Sequence, residues 1–475
     1  MSMNGDEFRK RGHEMVDWMA DFLSGIEQRR VTPGIAPGDI LRQLPVHPPE
    51  QGEPFDVLFR DFESIILPGM THWQHPSFFA YFPANSSPPS VLAEMLTATL
   101  GAQCMSWATS PAATELEQRV MEWLRDMLGL PAHMTGVIQD TASTATLTAL
   151  LSARERASGF QINRTGLQGQ PRYMVYCSAE AHSSVEKAVK IAGLGADAVR
   201  KIPVDPATYA MIPGELERTV ADDAAAGKTP LCVVATMGTT GSTAVDPIGP
   251  IGDIAVRHNL WLHVDAAYAG TALLLPEKRW MAEGMELADS FVTNPHKWMF
   301  TNFDCSAYFV RDPGTLVRTF EILPEYLKTP EGETVRNYRD WGIQLGRRFR
   351  ALKLWFVIRS YGVGGLQSMI RNHCALAGEL VARLQRERDF ELLAPAPLGA
   401  VCFRHRPQGV EDQESLNRHN EALLKQVNET GRAFLTHTKL RGSYTIRMVI
   451  GQTGVTSRHV NEAWDLIVRT ARGGI

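Results

Sequence analysis

Asp265 and Lys297 have the types and the setting for imine chemistry. Trp261-Leu-His-Val-Asp265-Ala-Ala-Tyr-Ala-Gly270 is followed by Asn294-Pro-His-Lys297-Trp298, and each motif ends an apolar run of strand character. An acid and an amine are thereby delivered to the same rim of a sheet. Taken singly, each has an ordinary explanation, since an aspartate after a strand usually caps a helix and most lysines are solvated. Lys297, however, lies between an apolar strand and Trp298, where an ammonium serving only solubility is poorly placed. A lysine that forms Schiff bases and an aspartate that keeps a pyridinium nitrogen protonated are the two groups that pyridoxal phosphate chemistry demands of a protein. The protonated ring is the electron sink for a developing carbanion.

The elements that must position this pair read as an α/β unit. β-rich runs at 173–177, 198–204, 231–236, 260–264, 290–293 and 306–310 alternate with helical patterns, among them helices from about Ser183 and Pro213. Near-continuous apolar strands separated by helices indicate a largely parallel sheet covered on both faces. Upstream, Thr114-x-x-Glu117 reads as a capping box opening a helix that continues through Leu124 and Met127 to Gly129. An apolar helical stripe at 6–28 (Met15, Trp18, Met19, Phe22, Leu23, Ile26) has too little core of its own, and a Pro/Gly-rich stretch from Thr32 to Pro54 lets it reach the main domain or a second subunit. Downstream, a long helical stretch over 347–386 leads to strands at 390–393, 400–404, 433–438 and 444–450 and helices at 414–430 and 457–472, a small α+β domain.

Composition restricts the partners. The chain has 475 residues, 44% hydrophobic and 21% charged, with a formal charge of −4, values of an ordinary globular protein with a large core. Basic residues are scattered apart from Arg347, Arg348 and Arg350, so no electrostatic footprint for nucleic acid is present. The six cysteines include no Cys-x-x-Cys pair and read as buried thiols of a reducing compartment. The first residues carry no signal-peptide core and no long apolar run follows, which points to a cytoplasmic protein without a membrane partner.

Three apparent motifs fail on context. Gly193-Leu-Gly195-Ala-Asp-Ala198 follows a helix and precedes a strand, the reverse of a dinucleotide fingerprint. Gly227-Lys228-Thr229 ends like a P-loop, but Asp222 stands where its first glycine belongs. His72-x-x-His75 adjoins Pro76 and lacks a nearby third ligand, so no metal is expected. Thr141-Ala-Ser143 is more informative, because it precedes a helix running to about Ala157, and helix N-termini offer free N–H groups to an anion. By itself Ser143 reads equally well as a plain cap.

The Asp265 and Lys297 motifs closely resemble those of the group II pyridoxal-phosphate decarboxylases, the aromatic-L-amino-acid branch above all. The resemblance extends through Thr71-His-Trp73, Phe78-Phe-Ala-Tyr81-Phe-Pro83, Ser110-Pro-Ala-Ala-Thr-Glu-Leu-Glu117, Ala181-His182-Ser-Ser-Val185, Gly238-Thr-Thr240, Asn302-Phe-Asp-Cys-Ser-Ala307 and Leu345-Gly346-Arg-Arg-Phe349, nearly the whole chain. It implies fold type I, the aspartate-aminotransferase-like architecture: an N-terminal helical segment (1–85) wrapping a homodimer partner, a large cofactor-binding α/β domain (86–360) and a small C-terminal α+β domain (361–475). It makes Lys297 the Schiff-base lysine, Asp265 the partner of the pyridine nitrogen and His182 the imidazole stacked on the ring, with Ala267 beneath it. Ala142, Ser143, Asn294 and His296 would hold the phosphate, with Thr240 close by. Tyr326, in the polar stretch Leu323–Gly332, would protonate the substrate carbon from a closing loop that excludes water.

The same resemblance outlines an aromatic pocket of Trp73, Tyr81, Phe82 and Pro83 facing residues near Met105. Gln103 and Met105 stand where animal enzymes carry aliphatic and phenylalanine side chains, Ala84 replaces a threonine that reaches a catechol hydroxyl, and Thr141 replaces a serine. Gly346 matches the glycine of indole-accepting plant members. The implied reaction is decarboxylation of aromatic L-amino acids such as tryptophan, phenylalanine, tyrosine or dihydroxyphenylalanine. A glutamate or cysteine sulfinate decarboxylase would want a cation for the distal acid. An oxygen-consuming aldehyde synthase typically replaces the loop tyrosine or the stacking histidine, and a non-catalytic protein of this fold would not retain lysine, aspartate, histidine and tyrosine together.

Overall fold

A computed structural model describes residues 3–322 and 335–474, so Tyr326 lies outside the described residues. The large sheet contains β1 (Thr135–Gln139), β2 (Tyr173–Ser178), β3 (Val199–Ile202), β4 (Thr229–Thr236), β5 (Trp261–Asp265), β6 (Ser290–Thr293) and β7 (Ser306–Val310). Their order is β1-β7-β6-β5-β4-β2-β3. All neighbours from β3 to β6 pair in parallel, whereas β7 runs antiparallel to both β6 and β1. The mostly parallel sheet expected from the sequence is present. β1 was not among the expected strands, because five residues with a leading Thr-Gly carry little strand signal.

Successive strand side chains enter different cores, which is why the strands are apolar throughout. Val233 and Ala235 of β4 pack with Leu216, Val220, Ile251 and Ile254 from the helices Pro213–Ala225 and Ile248–Arg257. Cys232 and Val234 pack on the other face with Ala145, Ala149 and Leu150 of the helix Ala142–Ala157 and with Val185 and Val189 of Ser184–Ile191. The small sheet holds β8 (Phe390–Leu392), β9 (Ala400–His405), β10 (Thr436–Leu440) and β11 (Ser443–Val449), all antiparallel in the order β10-β11-β9-β8. β10 begins later than the expected 433–438, because Ala433 and Leu435 are already buried in the connection leading to it. The helix Arg350–Leu384 joins the two sheets and breaks at Gly362, whose φ of 64° suits glycine.

The expected capping box at Thr114 needs correction. The helix spans Pro111–Leu128 with Ser110 at its N-cap, and both Thr114 and Glu117 lie inside it, buried. Pro111 is preorganised for a first turn, so the helix starts earlier than the Thr-x-x-Glu pattern suggested. Glu117 instead accepts the Ile138 N–H at 2.9 Å and pairs with the buried Arg347 at 2.6 Å. Arg347 also donates to the Ile138 carbonyl at 2.8 Å, so one ion pair ties this helix to β1 and to the start of the long helix.

The N-terminal helix Gly5–Ser24 buries none of its residues. Trp18 packs against Phe22, Phe59 and Phe62, while Phe8, Val16 and Leu23 remain exposed. No helix among the described residues is long and apolar enough to cross a membrane.

Removing one member of a buried pair strands the other charge, at a cost of about 3–5 kcal/mol. Glu117→Ala should therefore lower unfolding stability by about that amount, read from denaturant or thermal melts. A loss no larger than that of an exposed pair would show that Arg347 finds other compensation.

Candidate active site

The C-terminal ends of β4, β5 and β6 are pinned to one another by the chain just beyond them. Met237 N–H donates to the Asp265 carbonyl at 2.9 Å, Ala266 N–H to Val292 at 2.9 Å and Asn294 N–H to Ala267 at 3.0 Å. Gly238 has φ 85°, and a Cβ there would fall 2.6 Å from the Ala269 Cβ, so only glycine lets these loops close. Beyond them lies a cavity of about 200 Å³. It is lined by Ala142, Ser143, His182, Thr240, Asp265, Ala267, Asn294, His296 and Lys297, all nine of the cofactor residues expected from the sequence.

Lys297 sits in the one-turn helix Pro295–Trp298. Protein encloses the side chain, yet part of its surface stays open to the cavity, and its Nζ lies 5.5 Å over the Phe82 ring. It has no hydrogen bond or ion pair among the described residues. Burial holds the amine below the usual lysine range, and the Asp265 carboxylate opposes that shift. Asp265 accepts the Ala267 N–H on Oδ1 at 3.1 Å, and its other oxygen has no hydrogen-bond partner among the described residues.

Three neighbouring donors have their orientations fixed from behind. The His182 Nδ1 accepts the Ser184 N–H at 3.2 Å and lies 2.9 Å from the Ser184 Oγ, which leaves the proton on Nε2. Burial is the main reason its pKa falls below that of free histidine. His296 Nδ1 accepts the Cys305 N–H at 2.9 Å, and burial pushes this ring down to about 3, so it too is a neutral Nε2–H donor. The Asn294 Oδ1 accepts the Ser306 hydroxyl at 2.8 Å, which leaves the amide NH2 as its free end. At the helix Ala142–Ala157, Thr141 is the N-cap and receives Thr144 N–H, so the cap is not Ser143. The Ala142 and Ser143 N–H groups have no partner among the described residues and border the cavity.

This donor set fits an anion of phosphate type. The buried Thr236 Oγ1, on the cavity wall, also has no hydrogen-bond partner among the described residues, as expected of a wall that meets a polar ligand. Sequence reasoning missed Thr236, Gly238, Ser184, Tyr268 and Phe303 as lining residues. Ser184, Gly238, Tyr268 and Phe303 lay within motifs already noted, while Thr236 carried no signal beyond its strand.

The profile describing the pyridoxal-dependent decarboxylase conserved domain matches residues 37–406. This chain belongs to that family. The decarboxylase is 44% identical to the aromatic-L-amino-acid decarboxylase of Sus scrofa over 479 residues, 98% of this chain and 96% of the other. It is 43% identical to the phenylacetaldehyde synthase of Arabidopsis thaliana over 478 residues, 99% and 96% of the two chains. A crystal structure of the Oryza sativa enzyme TDC with PLP and tryptamine superposes with a TM-score of 0.96 at 37% identity, covering 100% of this chain and 99% of that one.

The residues expected to form a ring pocket fall into two groups. Phe82 lines the cavity, while Trp73 and Tyr81 stack on each other at 5.7 Å and are largely exposed, outside the lining. Pro83 packs against Gly451, and the Ala84 carbonyl accepts the Gln74 amide. The second group is Gln103, whose Oε1 accepts the Arg347 N–H at 2.8 Å, Gly346 beside the Gln103 amide, and Met105, whose carbonyl accepts Arg339 N–H. None of the second group lines the cavity within one chain. His72 and His75 serve locally: His75 Nδ1 accepts Ser77 N–H and His72 packs edge-on against Phe22.

Depressed histidines link stability to pH. His296 at about 3 and the buried His263 at about 4 stay neutral in the fold, while the unfolded chain takes up protons from about 6.5 downwards. Their contribution is complete above about pH 6.5 and is lost as pH falls towards 4. The melting temperature should decline steadily from pH 7 to 5, and His263→Gln should flatten that decline. A melting temperature that rises on acidification would contradict the neutral assignment.

Proposed function

We propose that this chain removes the carboxylate of aromatic L-amino acids with pyridoxal 5'-phosphate, giving the arylalkylamine and carbon dioxide. The observation that carries the reading is the enclosed, unpaired Lys297 amine beside Asp265, in a cavity whose remaining polar wall is made of neutral donors. The cofactor supplies an aldehyde that condenses with amines and a protonated ring that accepts the electron pair left by a departing carboxylate. Ala142 and Ser143 N–H, Asn294 and His296 would hold its phosphate. Asp265 would retain the proton on its ring nitrogen, with Ala267 and His182 confining the ring and Thr240 nearby.

Lys297 attaches the cofactor and is well suited to do so, because a depressed pKa raises the fraction of neutral, nucleophilic amine. His182, on the cavity wall with its proton on Nε2, would assist proton delivery, which the resemblance assigns to Tyr326. Substrate selection follows from apolar aromatic surface at Phe82, Trp73 and Tyr81. A second carboxylate buried there would cost several kcal/mol without a cation. Gln103, Met105 and Gly346 reach the ring from a second subunit of a cytoplasmic homodimer. Supporting that arrangement, Leu92, Met95, Leu96 and Leu100 expose one apolar stripe of the helix Pro88–Leu100, and Leu345 is exposed beside Gly346. Aldehyde synthesis is the second reading, favoured by the Arabidopsis relative; His182 and Tyr326 argue against it.

Borohydride treatment should fix the cofactor on Lys297, and Lys297→Ala should abolish amine formation. Peptide mapping of the label to any other lysine would refute the assignment. With a panel of L-amino acids, aromatic substrates should give amines, with glutamate and aspartate inert. Tryptophan and phenylalanine should equal or exceed dihydroxyphenylalanine, because Ala84 lacks a hydroxyl worth about 0.5–1.5 kcal/mol, roughly threefold to tenfold in rate. Preference for glutamate would overturn the aromatic reading, and preference for the catechol only the ranking. Hydrogen peroxide released in step with an aldehyde would establish the second reading.

A further inference from the structure

Behind Lys297, buried rings continue away from the cavity. Phe82 stacks on Tyr268 with centroids 4.0 Å apart and planes at 13°, and Tyr268 stacks on Trp298 at 4.5 Å and 12°. Trp298 is nearly coplanar with His373, 11° between the planes with centroids 6.4 Å apart, joined edge to edge by a hydrogen bond from Trp298 Nε1 to His373 Nδ1 at 2.9 Å. Trp298, Tyr268 and His373 are each at most 2% exposed. The chain closes a loop on itself: Lys297 precedes Trp298, and its Nζ returns over the Phe82 ring at the other end of the stack.

His373 comes from a different part of the fold. It lies beyond the Gly362 break in the long helix, and its other ring nitrogen is engaged by the Gln452 backbone just after β11. Burial pushes its pKa down to about 4, so it remains a neutral acceptor for the indole. Stacking alone fixes the spacing of rings but leaves them free to slide and turn in their planes. A directional hydrogen bond removes that freedom.

We propose that His373 is a positioning residue for the cofactor-bearing lysine: by accepting the Trp298 N–H it sets the in-plane orientation of the Phe82–Tyr268–Trp298 stack, and with it the place of Lys297. The inference rests on Lys297 carrying the cofactor. Asp265 ends β5 just before the turn that holds Tyr268, so the same bond also steadies the carboxylate relative to the amine. His373 touches neither cofactor nor substrate; it acts through Trp298.

Three substitutions separate this role from simple packing. The Asn oxygen in His373→Asn occupies the place of Nδ1 and can still accept from the indole. His373→Gln places its polar group nearer the far nitrogen and keeps only the Gln452 side, and His373→Leu keeps neither. The measurements on each holoenzyme are the visible circular dichroism of the bound cofactor, which reports its orientation, its release rate on dilution, and kcat and KM separately. We expect the Leu and Gln variants to lose the wild-type dichroism, release cofactor about tenfold faster and lose kcat with KM little changed, as for one stranded buried donor. The Asn variant should stay close to wild type. If the Leu variant does not fold, the contrast between Asn and Gln decides. Equal behaviour of Asn and Gln, or a wild-type spectrum and release rate in the Leu and Gln variants, would overturn the inference. A wild-type protein whose borohydride label maps away from Lys297 would instead remove the premise.

Discussion

The constraint on which the rest of this structure depends is an amine kept in a protein enclosure without a counter-ion in contact. An ammonium buried in this way is unstable, so the site holds only if the amine can be neutral or finds an anion. Asp265 lies near enough to oppose the depression of the Lys297 pKa but makes no hydrogen bond to it. Had the two paired, the carboxylate would have fixed the charge on the lysine and blocked it as a nucleophile. The rim geometry prevents that: β5 and β6 are parallel neighbours, yet Asp265 ends its strand directly, whereas Lys297 comes after the turn through Asn294 and Pro295. The Phe82 ring then occupies the space over the amine, giving it an aromatic face in place of water.

Neutrality extends to the rest of the wall. Each histidine that borders the cavity has its Nδ1 taken by a backbone N–H, from Ser184 or from Cys305, and each is held below the free value by burial. Asn294 is turned by Ser306 in the same manner. Such donors are preorganised and gain nothing by reorienting, which is what electrostatic preorganisation requires. They add no charge of their own to the balance between Asp265 and Lys297.

Much of this was legible because strand ends and motif residues coincide. Ser290–Thr293 and Ser306–Val310 were bounded correctly by their apolar runs and by the Asn and Asp residues that follow. The cavity lining was readable because its residues lie in short motifs just past strand ends. What failed had physical causes. Glu117 imitates a cap residue while serving a buried arginine more than two hundred positions away, and no local pattern reveals such a partner. The direction of β7 depends on whether the connection through Lys297 crosses the sheet or turns back, which periodicity does not encode. His373 gave no signal, since a histidine on an apolar helix face looks like core until the indole it meets is known.

The charge inventory of the cavity bears on why a carboxylate would leave there. Among its described lining residues, Asp265 is the only acid and Lys297 the only lysine, and none is arginine. A cofactor phosphate would be met by dipoles and backbone N–H groups. A substrate carboxylate entering the enclosure would exchange water for Phe82, Tyr268 and neutral imidazole, with the guanidinium of the buried Arg447 close by, over the Phe82 ring at 5.3 Å and with its Nη2 free of hydrogen bonds among the described residues. Departure as neutral carbon dioxide would remove that buried charge, and a protonated cofactor ring held at Asp265 would supply the sink for the electron pair. The apolar faces of Phe82 and Tyr268 thereby favour neutral carbon dioxide over the starting anion, the kind of differential a catalyst needs.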